Sequence, residues 1–233
     1  MSDGFLTRRG ALQAALGATA GAVLLGGPRL LGGSPADEAL AAGACTLTPE
    51  QEQGPFYVAL HRIRSNIVGG RKGVPLGLRI TVIDRSTCRP IKGAAVDVWH
   101  ADAVGHYSDE SREGTLGQTW LRGTQLTDAH GRVQFRTIYP GFYAGRTTHV
   151  HVKVHVGGHV SHVGQIFFPD ALSTRVYRTS RYTRDANART RRADDRVYTG
   201  QHGASSVLKI TGGSVAAGLR GAITMAVDRH ASR

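Results

Sequence analysis

Cysteine is scarce in this 233-residue chain, which has 2 of them against 31 glycines. Two thiols cannot build a four-cysteine zinc ribbon or the bridge-dense framework of a small secreted miniprotein. Aromatic residues make up only 6%, and no stacking pattern of the kind that binds single-stranded nucleic acid is visible. Beyond the N-terminal region no apolar run reaches the ~18 residues a membrane-spanning helix needs, so the mature chain is expected to have no membrane span. Neither G-x-x-x-x-G-K-[ST] nor a strand-linked G-x-G-x-x-G occurs, which argues against nucleotide-dependent chemistry. Acidic residues are short as well, 17 against 29 Lys and Arg, for a net charge of +12. What is present, 40% hydrophobic and 20% charged residues, suffices for one domain with a sizeable core.

The first 44 residues read as a leader. Thr7-Arg8-Arg9-Gly10 precedes a small, apolar, uncharged run from Ala11 to Gly27, and Ala39-Leu40-Ala41-Ala42-Gly43-Ala44 offers A-x-A cleavage sites. A basic start, a short apolar stretch and small residues define a cleavable signal peptide, and the arginine pair points to the twin-arginine (Tat) route. The alternative, an amphipathic helix of the fold, lacks a polar face. The expected organisation is therefore a signal peptide over 1–44 and one domain over 45–233, exported and either secreted or cell-wall associated. Export places Cys45 and Cys88 in an oxidising space, where they either form one disulfide or persist as two buried thiols. Cys45 directly after the cleavage region also leaves lipidation open. Within the leader Arg8, Arg9 and Arg29 balance Asp3, Asp37 and Glu38, so the positive charge belongs to the mature part. Arginines crowd the stretch Arg181–Arg196, interrupted by Asp185, Asp194 and Asp195. With no recognition motif beside it, this stretch is expected to be a solvated loop, and no nucleic acid partner is expected.

The mature chain alternates apolar and polar residues in short segments separated by Gly, Pro, Asn and Asp. Leu78–Ile83, Ala94–Trp99, Val133–Ile138, His149–Val156 and Ala222–Val227 each carry the period of two that makes a strand. The spacing predicts an all-β fold, a β-sandwich with long irregular loops and one short helix over Asp170–Tyr177.

The segment His149-Val150-His151-Val152-Lys153-Val154-His155-Val156 is the cleanest of these. Its valines share one face, and His149, His151, Lys153 and His155 share the other. His149 and His151 start roughly 6.6 Å apart, close enough to converge on one ion, whereas His155 lies about 13 Å from His151 and is out of reach. The residues alone leave two readings, a metal site or a histidine-rich polar face. Upstream, Tyr139-Pro140-Gly141-Phe142-Tyr143-Ala144-Gly145-Arg146 forms a turn aimed at the start of this strand, and Gly105-His106-Tyr107-Ser108 adds a second tyrosine. Phenolates with imidazoles suit a hard, oxidised cation such as Fe(III), which lowers the phenol pKa enough to ionise it.

Thr48-Pro49-Glu50-Gln51-Glu52-Gln53-Gly54-Pro55-Phe56-Tyr57 resembles the N-terminal signature of the intradiol ring-cleavage dioxygenases. Cys88–Ser108, Leu121–Asp128 and Thr137–Val154 continue the likeness, which spans about residues 46 to 229 and is nearest to the secreted branch of the family. The resemblance implies a non-haem Fe(III) cofactor held by Tyr107, Tyr143, His149 and His151, with Tyr143 the ligand that leaves when substrate binds. It implies that Arg146 and Gln165 act beside the metal and that Pro55 and Phe56 line the ring pocket. The implied reaction is cleavage of catechol-type diols by O2, between the two hydroxylated carbons, to cis,cis-muconate-type dicarboxylates. Thr147-Thr148 and the short segment before His149 depart from the better-known cytosolic members, which bears on pocket shape rather than on the ligand set.

Two other classes fit parts of the sequence. A non-catalytic β-sandwich module would share the Gly93-Ala94-Ala95-Val96-Asp97-Val98 strand but need no metal and no Tyr107. A secreted copper or zinc protein would use His149, His151 and others of the 11 histidines, without tyrosinate ligation.

Overall fold

The computed structural model describes residues 46–231; the expected signal peptide, its cleavage region and Cys45 lie outside them. Period-two segments become strands: β1 (Pro75–Asp84), β2 (Ala95–Trp99), β3 (Arg122–Leu126), β4 (Arg132–Ile138), β5 (His149–Val156), β6 (His159–Phe167), β7 (Lys209–Ser214) and β8 (Gly218–Val227). Two short helices interrupt them, α1 (Asp170–Tyr177) and α2 (Arg196–Gly200). The strands form two four-stranded sheets, one ordered β4-β1-β8-β7 and the other β3-β2-β5-β6. The all-β sandwich expected from the sequence is what forms.

The core lies between the sheets. Leu78, Ile80 and Val82 of β1 face Val96 of β2 and Val150, Val152 and Val154 of β5, each fully buried, with Phe135 of β4 among them. Burying such a side chain stabilises the fold by roughly 1.5–3 kcal/mol, so these alternate positions supply most of the drive that closes the sandwich. β1 pairs in parallel with β8, from Leu76↔Leu219 to Asp84↔Val227, so the last strand inserts beside the first. The N-terminal segment is pinned to the same strand by Thr48 N to Ala226 O at 2.9 Å and Ala226 N to Thr48 Oγ1 at 2.9 Å.

Three strands fell outside the sequence expectation. β3 was visible only as a motif, β6 carries histidines where alternation calls for apolar residues, and β7 is weakened by Gly212 and Gly213. The stretch Arg181–Arg196 is not simply a solvated loop. Arg181, Arg184, Arg191 and Arg196 are exposed, but Arg189 is buried and, with Arg192, pairs with Asp170 at the start of α1. Asp195 is fully buried, because its carboxylate is needed by backbone amides on two sides. Among the described residues no helix is long and apolar enough to cross a membrane.

Candidate metal centre

Because the valines of β5 point into the core, His149 and His151 point out of the sandwich, yet both are buried. The N-terminal segment lies over this outer face and shields it: Lys153 Nζ donates to Gln53 Oε1 at 2.9 Å, and Tyr57 Oη donates to Asp97 Oδ2 at 2.9 Å. Gly54, at φ +69°, makes the close approach; a Cβ there would sit 3.3 Å from His151 Cε1. Register then sets the neighbours. Trp99 of β2 and Gln165 of β6 both lie opposite His151, and the Trp99 and His151 rings stack at 4.8 Å and 3°. His155, beyond a register shift in the strand, turns instead to Asp97 Oδ2 at 3.1 Å.

Two loops bring the tyrosines to the histidines, and glycine makes their meeting possible. A Cβ on Gly141 would fall 2.2 Å from the Asp102 carbonyl oxygen, and one on Gly105 would fall 2.2 Å from the Phe142 carbonyl oxygen. Gly141 N accordingly donates to Asp102 O at 3.0 Å. Asp102 Oδ1 collects Val104 N and His106 N at 3.0 Å each and so shapes the turn into Tyr107. Tyr107 is fully buried, its carbonyl taken by Thr115 Oγ1 at 2.7 Å. Tyr143 is only half-buried. Phe56 stacks on Tyr107 at 4.2 Å and meets Tyr143 edge-on at 6.1 Å, while Pro55 is exposed.

Four potential donors converge. His149 Nδ1 lies 2.6 Å from the Thr147 carbonyl oxygen, which requires the ring hydrogen there and leaves the Nε2 lone pair pointing inward. That Nε2 is 3.1 Å from His151 Nε2 and 3.2 Å from Tyr143 Oη. The Tyr107 hydroxyl makes no hydrogen bond of normal geometry and interacts with the Tyr143 hydroxyl across the site; His151 Nδ1 is also buried without a hydrogen bond among the described residues. Burial, then the neighbouring Arg146 charge, pushes the His149 pKa down to about 3. Burial and the adjacent His149 hold His151 well below the usual imidazole range. Burial raises both phenols, Tyr107 the more strongly, and Arg146 opposes this at Tyr143.

Arg146 is the charged wall of the site. Its Nε faces Asp195 Oδ2 at 3.1 Å, and Nη2 donates to Gln165 Oε1. Gln165 is fixed in turn: its backbone N donates to Gln51 Oε1 and its side-chain Nε2 to Glu52 O, both at 2.8 Å. Asp195 Oδ2 also accepts Thr147 N at 2.7 Å, and Oδ1 accepts Val197 N at 2.8 Å. Asp195 thus holds both Arg146 and Thr147, the residue whose carbonyl orients His149. It was missed because it looked like one more acid in an arginine-rich stretch. Its one sequence signal is the Asp–x–x start of a helix, an N-cap pattern.

A family model described as Dioxygenase matches residues 52–174, just over half of the chain. An intradiol ring-cleavage dioxygenase from Tetranychus urticae is 35% identical, with a TM-score of 0.75 over 81% of this chain and 98% of that one. The chain belongs to the intradiol ring-cleavage dioxygenase family. Among curated relatives it is 34% identical to the protocatechuate 3,4-dioxygenase beta chain of Burkholderia cepacia over 125 residues, 47% of this chain and 52% of that protein. It is likewise 34% identical to catechol 1,2-dioxygenase 1 of Acinetobacter lwoffii over 101 residues, 41% of this chain and 32% of that protein. The alignments thus cover about half or less of these curated relatives.

The residues present fit a hard cation. Two neutral imidazole nitrogens and two phenol oxygens face one another in a buried site, and one phenol lacks a normal hydrogen bond. Burial alone keeps the phenols protonated, so a strongly polarising ion is what would make them anionic donors. Among the described residues no group of three or more His, Cys, Asp or Glu is placed to hold a metal, so a site of histidines alone is not assembled there. His100, also buried, is occupied by Ala101 O at 2.8 Å and Thr137 Oγ1 at 2.7 Å.

Proposed function

We propose that this chain is an Fe(III)-dependent intradiol dioxygenase. It would cleave catechol-type diols with O2, between the hydroxylated carbons, to cis,cis-muconate-type dicarboxylates. The observation that carries the reading is the convergence of Tyr107, Tyr143, His149 and His151 in one buried site. Ferric iron held by these four residues would supply Lewis acidity and a one-electron couple for the reaction of the diol with O2.

The chain's own residues divide the remaining work. Tyr107 is packed under Phe56 with its backbone tied down, so it serves as the permanent phenolate. Tyr143 sits on a half-exposed turn, and its hydroxyl touches only the other candidate ligands, His149 at 3.2 Å and the Tyr107 hydroxyl, so it can swing away and carry off a proton from the diol. Arg146, locked by Asp195 and Gln165, holds positive charge where the anionic product develops and needs no reorganisation to do so. Phe56 offers its face to the substrate ring. Gly54 packs against the His151 ring and Phe56 against Tyr107 and Tyr143, so the N-terminal segment covers this side of the site.

The visible spectrum of the purified, iron-loaded protein tests this. A tyrosinate-to-iron band that shifts on anaerobic addition of catechol is expected, and a protein left colourless after ferric loading would refute the iron site. We further propose Tat export of the chain with removal of residues 1–44. A Cys45–Cys88 disulfide belongs to the same proposal. Intact mass of the exported protein, before and after thiol alkylation, checks cleavage and bridge together.

A further inference from the structure

One cavity lies away from the candidate metal centre. It holds about 490 Å³ and opens where the ends of β1 and β4 meet the loop 68–73, with Leu76 and Ile138 in its floor and Arg71, Lys72, Arg136 and Arg181 around it. No carboxylate lines it. A second cavity of about 390 Å³ shares Arg71, Lys72 and Arg181 with it and adds one carboxylate, Asp102, which is paired with Arg71. We propose that this groove is a binding site for an aromatic carboxylate, separate from the ring-cleavage site.

The wall is built rather than incidental. Gly69 lies so close to Trp120 that a Cβ there would come within 2.5 Å of the Trp120 Cβ, and one on Gly73 would come within 2.8 Å of Ile138 Cδ1. These two approaches press the loop onto the sandwich and fix the cavity's shape. Arg71 is held on two sides: its guanidinium ion-pairs with Asp102 and lies 4.4 Å from the centre of the Trp120 ring. Its charge is therefore satisfied. Those of Lys72, Arg136 and Arg181 are not met by a carboxylate among the described residues; Arg181 reaches only the Val215 carbonyl, at 3.4 Å.

Cations gathered without an acid repel one another, and an arriving anion relieves that repulsion. The apolar floor selects for an anion with an apolar body, and guanidinium planes stack on ring faces. A volume of this size matches pockets that take small molecules. A ring on Leu76 and Ile138 with its carboxylate among Lys72, Arg136 and Arg181 satisfies both halves of the groove.

Photolabelling of the iron-loaded chain with 4-azidobenzoate, followed by peptide mapping, locates the site directly. Labelling should fall on residues 68–77 or 136–138 and be competed by benzoate but not by neutral benzamide. The double variant R136E/R181E should lose about tenfold or more of the affinity, about 1.4 kcal/mol, while its catechol turnover and thermal midpoint stay unchanged. Lys72→Glu, on the exposed loop, gives the same reading should the double variant fold poorly. Label confined to the Tyr107–His151 site, label scattered over the surface, equal competition by benzamide, or no saturation by about 10 mM would each overturn the proposal.

Discussion

Tyr107 and Tyr143 are the same residue type in the same site, yet burial gives them different prospects. Tyr107 is sealed beneath Phe56, whereas Tyr143 rides a half-exposed turn next to Arg146. Replacing Tyr107 with Phe removes a donor that nothing can replace, so iron content and visible colour are expected to fall together, as metal analysis and absorbance would show. Tyr143→Phe is expected to keep part of the iron but turn over catechol at least about tenfold more slowly, since a proton acceptor is gone. Parent-rate turnover by Tyr143→Phe would end the leaving-ligand assignment. Asp195 acts one step further out. Asp195→Asn preserves size but removes the negative charge facing the Arg146 guanidinium, leaving a buried cation underpaired, a change that typically costs several kcal/mol. Stability should drop in thermal unfolding, and kcat should fall about tenfold or more while KM changes less. Equal losses in kcat and in the fraction folded would make Asp195 a structural residue only.

Among the elements, β5 was legible to the residue because its alternation is strict and its pairing with β2 and β6 obeys the same period. The ligand candidates could be read for the same reason: a strand fixes which side chains share a face. Burial of that outer face could not be read, since it depends on residues 51–57 folding back across it from far along the chain. Nor could Asp195, whose role exists only once α2 lies beside the turn at Thr147. β6 and β7 were hidden by histidine and glycine at positions where strand patterns expect apolar or β-branched side chains. The meeting of the two tyrosine loops rests on glycine contacts that carry no periodic signal. Gly141→Ala tests that contact. Its Cβ would press on the Asp102 carbonyl at 2.2 Å, which forces the loops apart. The variant should be destabilised by about 1–3 kcal/mol in denaturant unfolding, the usual cost of overpacking. It should also bind iron more weakly, because the two phenols separate.

For the molecule as a whole, buried histidines tie stability to pH. His100 is fully buried, and burial pushes its pKa down to about 4 even though Ala101 O and the nearby Asp102 favour its charged form. In the unfolded chain the same imidazole titrates near ~6.5. Between those values the unfolded chain takes up a proton that the folded one refuses, so stability rises with pH across this window and is lost as pH falls through it. Each such proton contributes a slope of about 1.4 kcal/mol per pH unit, and over the window His100 alone removes ~3 kcal/mol. His149, held down to about 3, and His151, held well below its ordinary value, add to the slope in the iron-free chain. Iron-free protein is therefore expected to become markedly less stable from about pH 6.5 to pH 4. His100→Gln lowers the starting stability by breaking the 2.7 Å contact to Thr137 in its present form, but it deletes one titrating group. Denaturant unfolding across this range should show the variant's slope shallower by about one proton. Parallel curves for the two proteins would mean that His100 is already protonated inside the fold, and its burial would then have to be offset by a charge partner the present contacts do not provide.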